Sequence, residues 1–145
     1  MEELTGYLHQ LAKSDGFQFT ISQITAATGV TASQLRYWER KGLIHSKQEA
    51  KNQNHTYSFM MMLRIATIAY YLKQGFTLTS AAQREQKHRQ LAKVYHQFFE
   101  NDQYQVVVKD NGDYELILGT VEDDPHTQAY LTLGKKRPHL HLRRV

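Results

Sequence analysis

The 145-residue sequence predicts a mainly α chain with a small β part. The expected architecture is a winged helix-turn-helix domain, then a helix, then a short antiparallel β meander. Three observations carry it. Residues 22–43 read as two short helices around a tight turn. Residues 45–58 are almost wholly polar and have the length of a β-hairpin wing. Beyond residue 103 the sequence becomes β-branched and strand-like. The boundaries that follow are 1–16 for an N-terminal helical extension and 17–85 for the winged domain. Residues 86–100 form a connecting or dimerisation helix, and 101–145 a small acidic meander with a basic tail.

Taken in order, Leu4, Leu8 and Leu11 recur at helical spacing with Tyr7 beside them, and Ser14-Asp15-Gly16 ends that helix. Phe17 to Ile21 leads into the next helix, capped by Thr20 or Ser22, with Ile24 and Ala27 facing the core. Gly29 closes it, because glycine adopts positive φ without penalty. Val30 is a small apolar plug. Thr31 is a good N-cap for the following helix, its hydroxyl accepting from a free backbone N–H. That helix runs to about Lys41 and stops at Gly42.

At about 100° per residue, Leu35 centres its buried face, flanked by Ala32, Trp38 and Glu39. Ser33, Arg36, Tyr37 and Arg40 gather opposite. Two Arg, a Tyr and a Ser on a helix after a tight turn suit contact with a major groove and its phosphates. An ordinary solvated face is the alternative at this point.

After Leu43-Ile44 comes the polar loop, with Lys47, Lys51 and His55 spread through it and turn-favouring Asn52, Gln53 and Asn54. The alternative to a wing is a plain surface loop. Ser58 caps a helix from Phe59 to about Gln74. Met60, Leu63, Ile65, Ile68 and Leu72 are apolar around much of it, as in a buried central helix. The Met60-Met61-Met62 run reads as core filling. Thr79 caps a further helix whose polar stretch, residues 83–90, precedes an apolar stripe of Leu91, Val94, Tyr95, Phe98 and Phe99.

Residues 104–109 and 114–119 pair across Asp110-Asn111-Gly112-Asp113, where Asn-Gly favours a two-residue hairpin turn. Glu122-Asp123-Asp124-Pro125 is a second turn, and Ala129 to Leu133 a third strand. His139 and His141 place two imidazoles on one strand face. A surface or core-facing pair is the favoured reading over a metal site. The basic tail is expected to fold back on the acidic meander rather than touch DNA.

Charge is uneven beneath the net +4. Residues 17–100 carry eleven bases against four acids, residues 101–134 one base against seven acids, and the last eleven residues five bases and no acid. The basic block contains the two-helix motif, which favours a polyanion there. With no Cys, disulfides, thiolate metal sites and thiol redox sensing are excluded. No apolar run approaches the roughly 20 residues that span a bilayer. With no secretory signal at the start, a cytoplasmic location is expected. No nucleophile–base pair, apolar carboxylate pair or phosphate-cradling Gly loop is evident, so no enzymatic activity and no cofactor are expected.

The segments ISQITAATGV, LRYWERKGLI, HTYS and LKQGFTLTSA, in this order and spacing, resemble the DNA-binding domain of MerR-type transcription regulators over residues 19–83. The resemblance implies a homodimer that sets a winged helix-turn-helix from each subunit on a pseudo-palindromic promoter in double-stranded DNA. Carried over by position, Thr31, Ser33, Gln34, Arg36 and Tyr37 become recognition-helix contacts. Arg36 and Tyr37 hold phosphates, and Ser33 and Gln34 reach base edges, Gln being able to pair with adenine. Arg40, on the same basic face, joins them.

The family's wing has Tyr-Arg two residues before an aromatic-Ser. Here Asn54-His55-Thr56-Tyr57-Ser58 stands there, so His55 replaces the Arg, with Lys47, Lys51 and Tyr57 as further wing contacts. His55 would make DNA affinity rise as pH falls through about 6.5, the unperturbed His value. The resemblance does not cover residues 100–145. Dimerisation, a ligand or RNA polymerase are the roles open to that part. A protein-interaction module that has kept the winged fold is the alternative to DNA reading.

Overall fold

A computed structural model describes residues 2–48, 50–51, 54–100 and 104–145. The chain divides into two compact units, Met1–Val94 and Tyr95–Val145.

In the first unit, α1 spans Glu2–Lys13, β1 Gln18–Thr20, α2 Ile21–Thr28 and α3 Ala32–Arg40. Then come β2 at Thr56–Ser58 and α4 at Phe59–Lys73, and α5, Leu78–Glu100, runs on past the unit's end. Strand β1 pairs antiparallel with β2, Phe19 opposite Tyr57. The sequence carried a faint sign of β1 in the alternation Phe17, Phe19, Ile21. Phe17 and Phe19 both lean on Phe59, with ring centroids 6.5 and 6.4 Å apart.

The core of this unit gathers Ile24, Val30, Leu35, Trp38, Ile44 and Tyr57 with Met61, Ile65, Ile68, Ala69 and Ala81. It draws on α2, α3, α4, the start of α5 and the strand before α4. Packing of apolar area at about 25 cal/mol per Å² makes this cluster the main source of the unit's stability.

Several expectations shift by a position. Ala27 is exposed, and Thr28 takes the buried place. A buried Thr is tolerated because its hydroxyl donates to the Ile24 carbonyl at 2.7 Å. In α4, Met60 and Leu63 are exposed, while Met61, Ile65, Ile68 and Ala69 are buried. The helix therefore has an apolar outer face as well as an inner one. Ser58 caps it by accepting from the Met61 N–H at 3.2 Å. Helix α5 is capped two residues earlier than expected: Thr77, not Thr79, accepts from the Ser80 N–H at 3.2 Å. It runs unbroken through residue 85 to Glu100.

In the second unit, β3 (Gln105–Val108), β4 (Tyr114–Val121), β5 (Asp124–Leu133) and β6 (His139–Arg144) form one antiparallel sheet in sequence order. The basic tail is thus a fourth strand, folded back on the meander of its own chain. The β3–β4 connection is a three-residue loop rather than a two-residue turn. Lys109 N–H donates to Asp113 O at 2.8 Å and Gly112 N–H to Lys109 O at 2.9 Å, with Gly112 at φ 82°.

Acidic strand and basic tail meet at Glu115, which is 7% exposed. Lys109 Nζ lies 2.7 Å and Arg143 Nη1 3.2 Å from its carboxylate oxygens. The hydrogen bond from Lys109 leads in holding the Glu115 carboxyl below its usual range, and Arg143 adds to it. His139 and His141 are exposed. The His141 ring stacks on Tyr130 at 5.1 Å and its Nε2 bonds the Thr132 hydroxyl at 3.0 Å.

Candidate nucleic-acid interface

The two-helix motif is fixed by local chemistry at each corner. Thr20 accepts from the Gln23 N–H at 3.2 Å while the Gln23 side chain accepts from the Thr20 N–H at 2.9 Å. This reciprocal capping box satisfies two free donors at the start of α2. Gly29, at φ 75°, donates its N–H to Thr25 O at 2.9 Å and ends the helix. The Val30 N–H donates to the Thr28 hydroxyl at 3.2 Å, and its side chain is buried. Thr31 and Gln34 repeat the capping box at the start of α3, at 3.2 and 2.9 Å.

With Leu35 and Trp38 held in the core, at 0% and 2% exposure, the phase of α3 is set. Ser33, Gln34, Arg36, Tyr37 and Arg40 all face outward. Arg40 Cζ lies 5.8 Å and Lys41 Nζ 5.6 Å from the Tyr37 ring centroid. The phenol is thus set among cations, which favours a patch that receives phosphate. Gln34 is exposed, but its side-chain oxygen is engaged in the cap. Two-point pairing with adenine requires that bond to be given up.

Tyr57 leaves the contact surface. It is 1% exposed, and its hydroxyl donates to Glu39 Oε1 at 3.1 Å. Its ring is core, and its hydroxyl ties β2 to α3. Burial, then the Glu39 charge, push the phenol's pKa well above the usual tyrosine range. The sequence signal for this was Glu39 on the flank of the buried face, facing a strand it could not be seen to face.

The described part of the loop between α3 and β2 includes a β-bridge between Lys47 and Thr56. Lys47 N–H donates to Thr56 O at 2.7 Å and Thr56 N–H to Lys47 O at 2.9 Å. Asn52 and Gln53 lie outside the described residues. Lys51 is exposed. Lys47 Nζ pairs with Asp15 Oδ2 at 2.9 Å, an exposed ion pair of the kind that contributes little to stability. His55 is half-buried, and its Nδ1 lies 2.6 Å from Ser46 Oγ. Its imidazole therefore joins the two arms of the loop.

This arrangement defines a helix-turn-helix protein with an outward basic face on its second helix. Residues 19–87 match the MerR HTH family of regulatory proteins, and this segment is a MerR-type helix-turn-helix domain. The match ends within α5 and leaves the second unit uncovered. No curated protein matches the chain. Among the described residues no helix is long and apolar enough to cross a membrane.

Proposed function

We propose that the chain is a sequence-specific, DNA-binding transcription regulator that sets α3 in the major groove of a pseudo-palindromic promoter site. The observation that carries this is the outward face of Arg36, Tyr37 and Arg40 on a helix whose phase is locked by Leu35 and Trp38. The loop of residues 45–55 serves as a wing along the DNA backbone, with Lys51 at its exposed part and Lys47 released from Asp15 on contact. Ser33 reads base edges. Thr31 and Gln34 act first as the cap that holds α3 in place. The role is binding rather than catalysis.

Two copies bind together, which matches a twofold-related site. The support is α5, on which Leu91, Val94 and Tyr95 are 50%, 60% and 56% exposed at helical spacing. Such a stripe on a 23-residue helix suits packing against its copy.

The test is fluorescence anisotropy with duplexes from the promoter upstream of the chain's own gene. Arg36→Ala should weaken binding across sequences and lower the salt slope by about 1. Retention of full affinity in R36A would shift the reading to a protein-interaction module on the same fold.

A further inference from the structure

A cleft of about 530 Å³ lies between α3, α4 and α5, within the first unit. Its volume falls in the range of about 300–1,000 Å³ typical of small-molecule sites. Its floor holds an unbalanced ion cluster. Glu85, whose side chain is 5% exposed, is the one acidic residue of the lining. Arg89 Nε lies 2.7 Å and Arg64 Nε 3.6 Å from the same carboxylate oxygen, Oε1. One carboxylate thus faces two guanidiniums. Arg64 is the less well served: its Nε is buried and has no hydrogen-bond partner among the described residues. Burial first, then Arg89, weigh against its charge, with Glu85 opposing.

A buried donor without a partner costs free energy, and the exposed part of the Arg64 side chain, 21% of it, is what an incoming acceptor can reach. Lys41 adds a third cation to the lining, and Leu43, Ile68 and Leu78 supply an apolar wall. We propose that this cleft is a binding site for a small amphipathic organic anion, its carboxylate or phosphate head on Arg64 and Arg89 and its apolar body on that wall. A DNA backbone is the wrong shape for the floor, since the Arg64 side chain is only 21% exposed and a duplex is too broad to enter a cleft of this size. Tyr37 and Lys41 belong to the cleft as well as to the end of α3, so occupancy bears on the recognition helix. That last consequence rests on the DNA-binding reading, whereas the site does not.

The test is an NMR titration of the full ¹⁵N-labelled chain at fixed ionic strength, reading the Arg Nε–Hε resonances. Benzoate is the probe in one arm and inorganic phosphate in another. The expected result is a saturable shift at Arg64 and Arg89 with at least one probe, which identifies the head group. Arg89→Gln should weaken it by about tenfold or more, the loss of one charge-assisted hydrogen bond. Arg64→Lys, which keeps the charge but not the planar fork, should weaken it too. A melt of each variant checks folding, and R89Q, altered at a half-exposed side chain, carries the test if R64K does not fold.

Shifts that stay linear, shifts confined to Arg36 and Arg40, or an unchanged titration in R89Q would overturn the proposal. So would a DNA duplex shifting Arg64 where neither small anion does. The small-anion arms contain no DNA, so their failure is distinct from failure of the DNA-binding reading.

Discussion

Replacing Tyr57 by Phe removes one oxygen from a side chain that is 1% exposed and leaves the ring in place. The lost interaction is the 3.1 Å hydrogen bond to Glu39, a charged acceptor. Bonds to charged groups contribute about 1.5–3 kcal/mol, but Glu39 is half-buried and recovers part of this from water. The expected cost is about 1 kcal/mol, or a fall of about 4–8 °C in the melting midpoint of a domain of 60–100 residues.

The pH dependence gives a second reading of the same bond. The Tyr57 pKa in the folded state lies above its unfolded value, chiefly through burial and then through Glu39. The folded state therefore holds this proton more tightly. The contribution is fully present below the ordinary tyrosine value of about 10 and is lost as pH rises beyond it. Phe cannot ionise, so the gap between wild type and Y57F should narrow above about pH 10. The assay is a series of thermal melts by circular dichroism from neutral to alkaline pH. Equal midpoints at neutral pH, or a gap that stays constant through the alkaline range, would refute this account of how β2 is tied to α3.

Gly29→Ala should cost about 1–2 kcal/mol through the backbone alone. At φ 75° an added Cβ meets only Lys73 Nζ, at 3.9 Å, so a melt of G29A reads conformational strain without a clash. Thr31→Ala should lose about 1 kcal/mol by leaving the Gln34 N–H without its acceptor, while the Gln34 side chain keeps its bond from the backbone N–H of residue 31, as measured by the melt and by amide exchange at the start of α3. For Glu115 the sign is opposite to that of Tyr57. Its pKa is lowered, mainly by the hydrogen bond from Lys109, so its stabilisation is present above about 4.5 and lost as pH falls. Glu115→Gln should flatten the acid side of the second unit's stability curve, and an unchanged acid limb would contradict this.

The parts of the fold legible in the sequence were those written in neighbouring residues. Gly29, Thr31 and Gly42 mark the turn and the bounds of α3 by backbone conformation and capping, both local. The alternation of apolar and basic positions from Leu35 to Arg40 gave its buried and outward faces. Residues whose roles depend on distant partners were read less well. Strand β1 has three residues, and Gln18 finds its partner only at Ser58. Tyr57 looked like a wing contact because its partner Glu39 is 18 positions away. His55 was read by the Arg it replaces, whereas Ser46 fixes it within the loop. The cleft over Glu85 was invisible because Arg64 and Arg89 lie on different helices, α4 and α5, that only the fold brings together.

The most direct test of the central claim is the salt dependence of promoter binding by wild type and R36A, followed by a footprint of the bound site. The account predicts that log affinity falls linearly with log salt, as counterions are released from neutralised phosphates. It predicts a shallower slope in R36A and protection with twofold symmetry. Salt-independent or undetectable binding at low ionic strength would contradict it, as would an R36A slope equal to that of wild type.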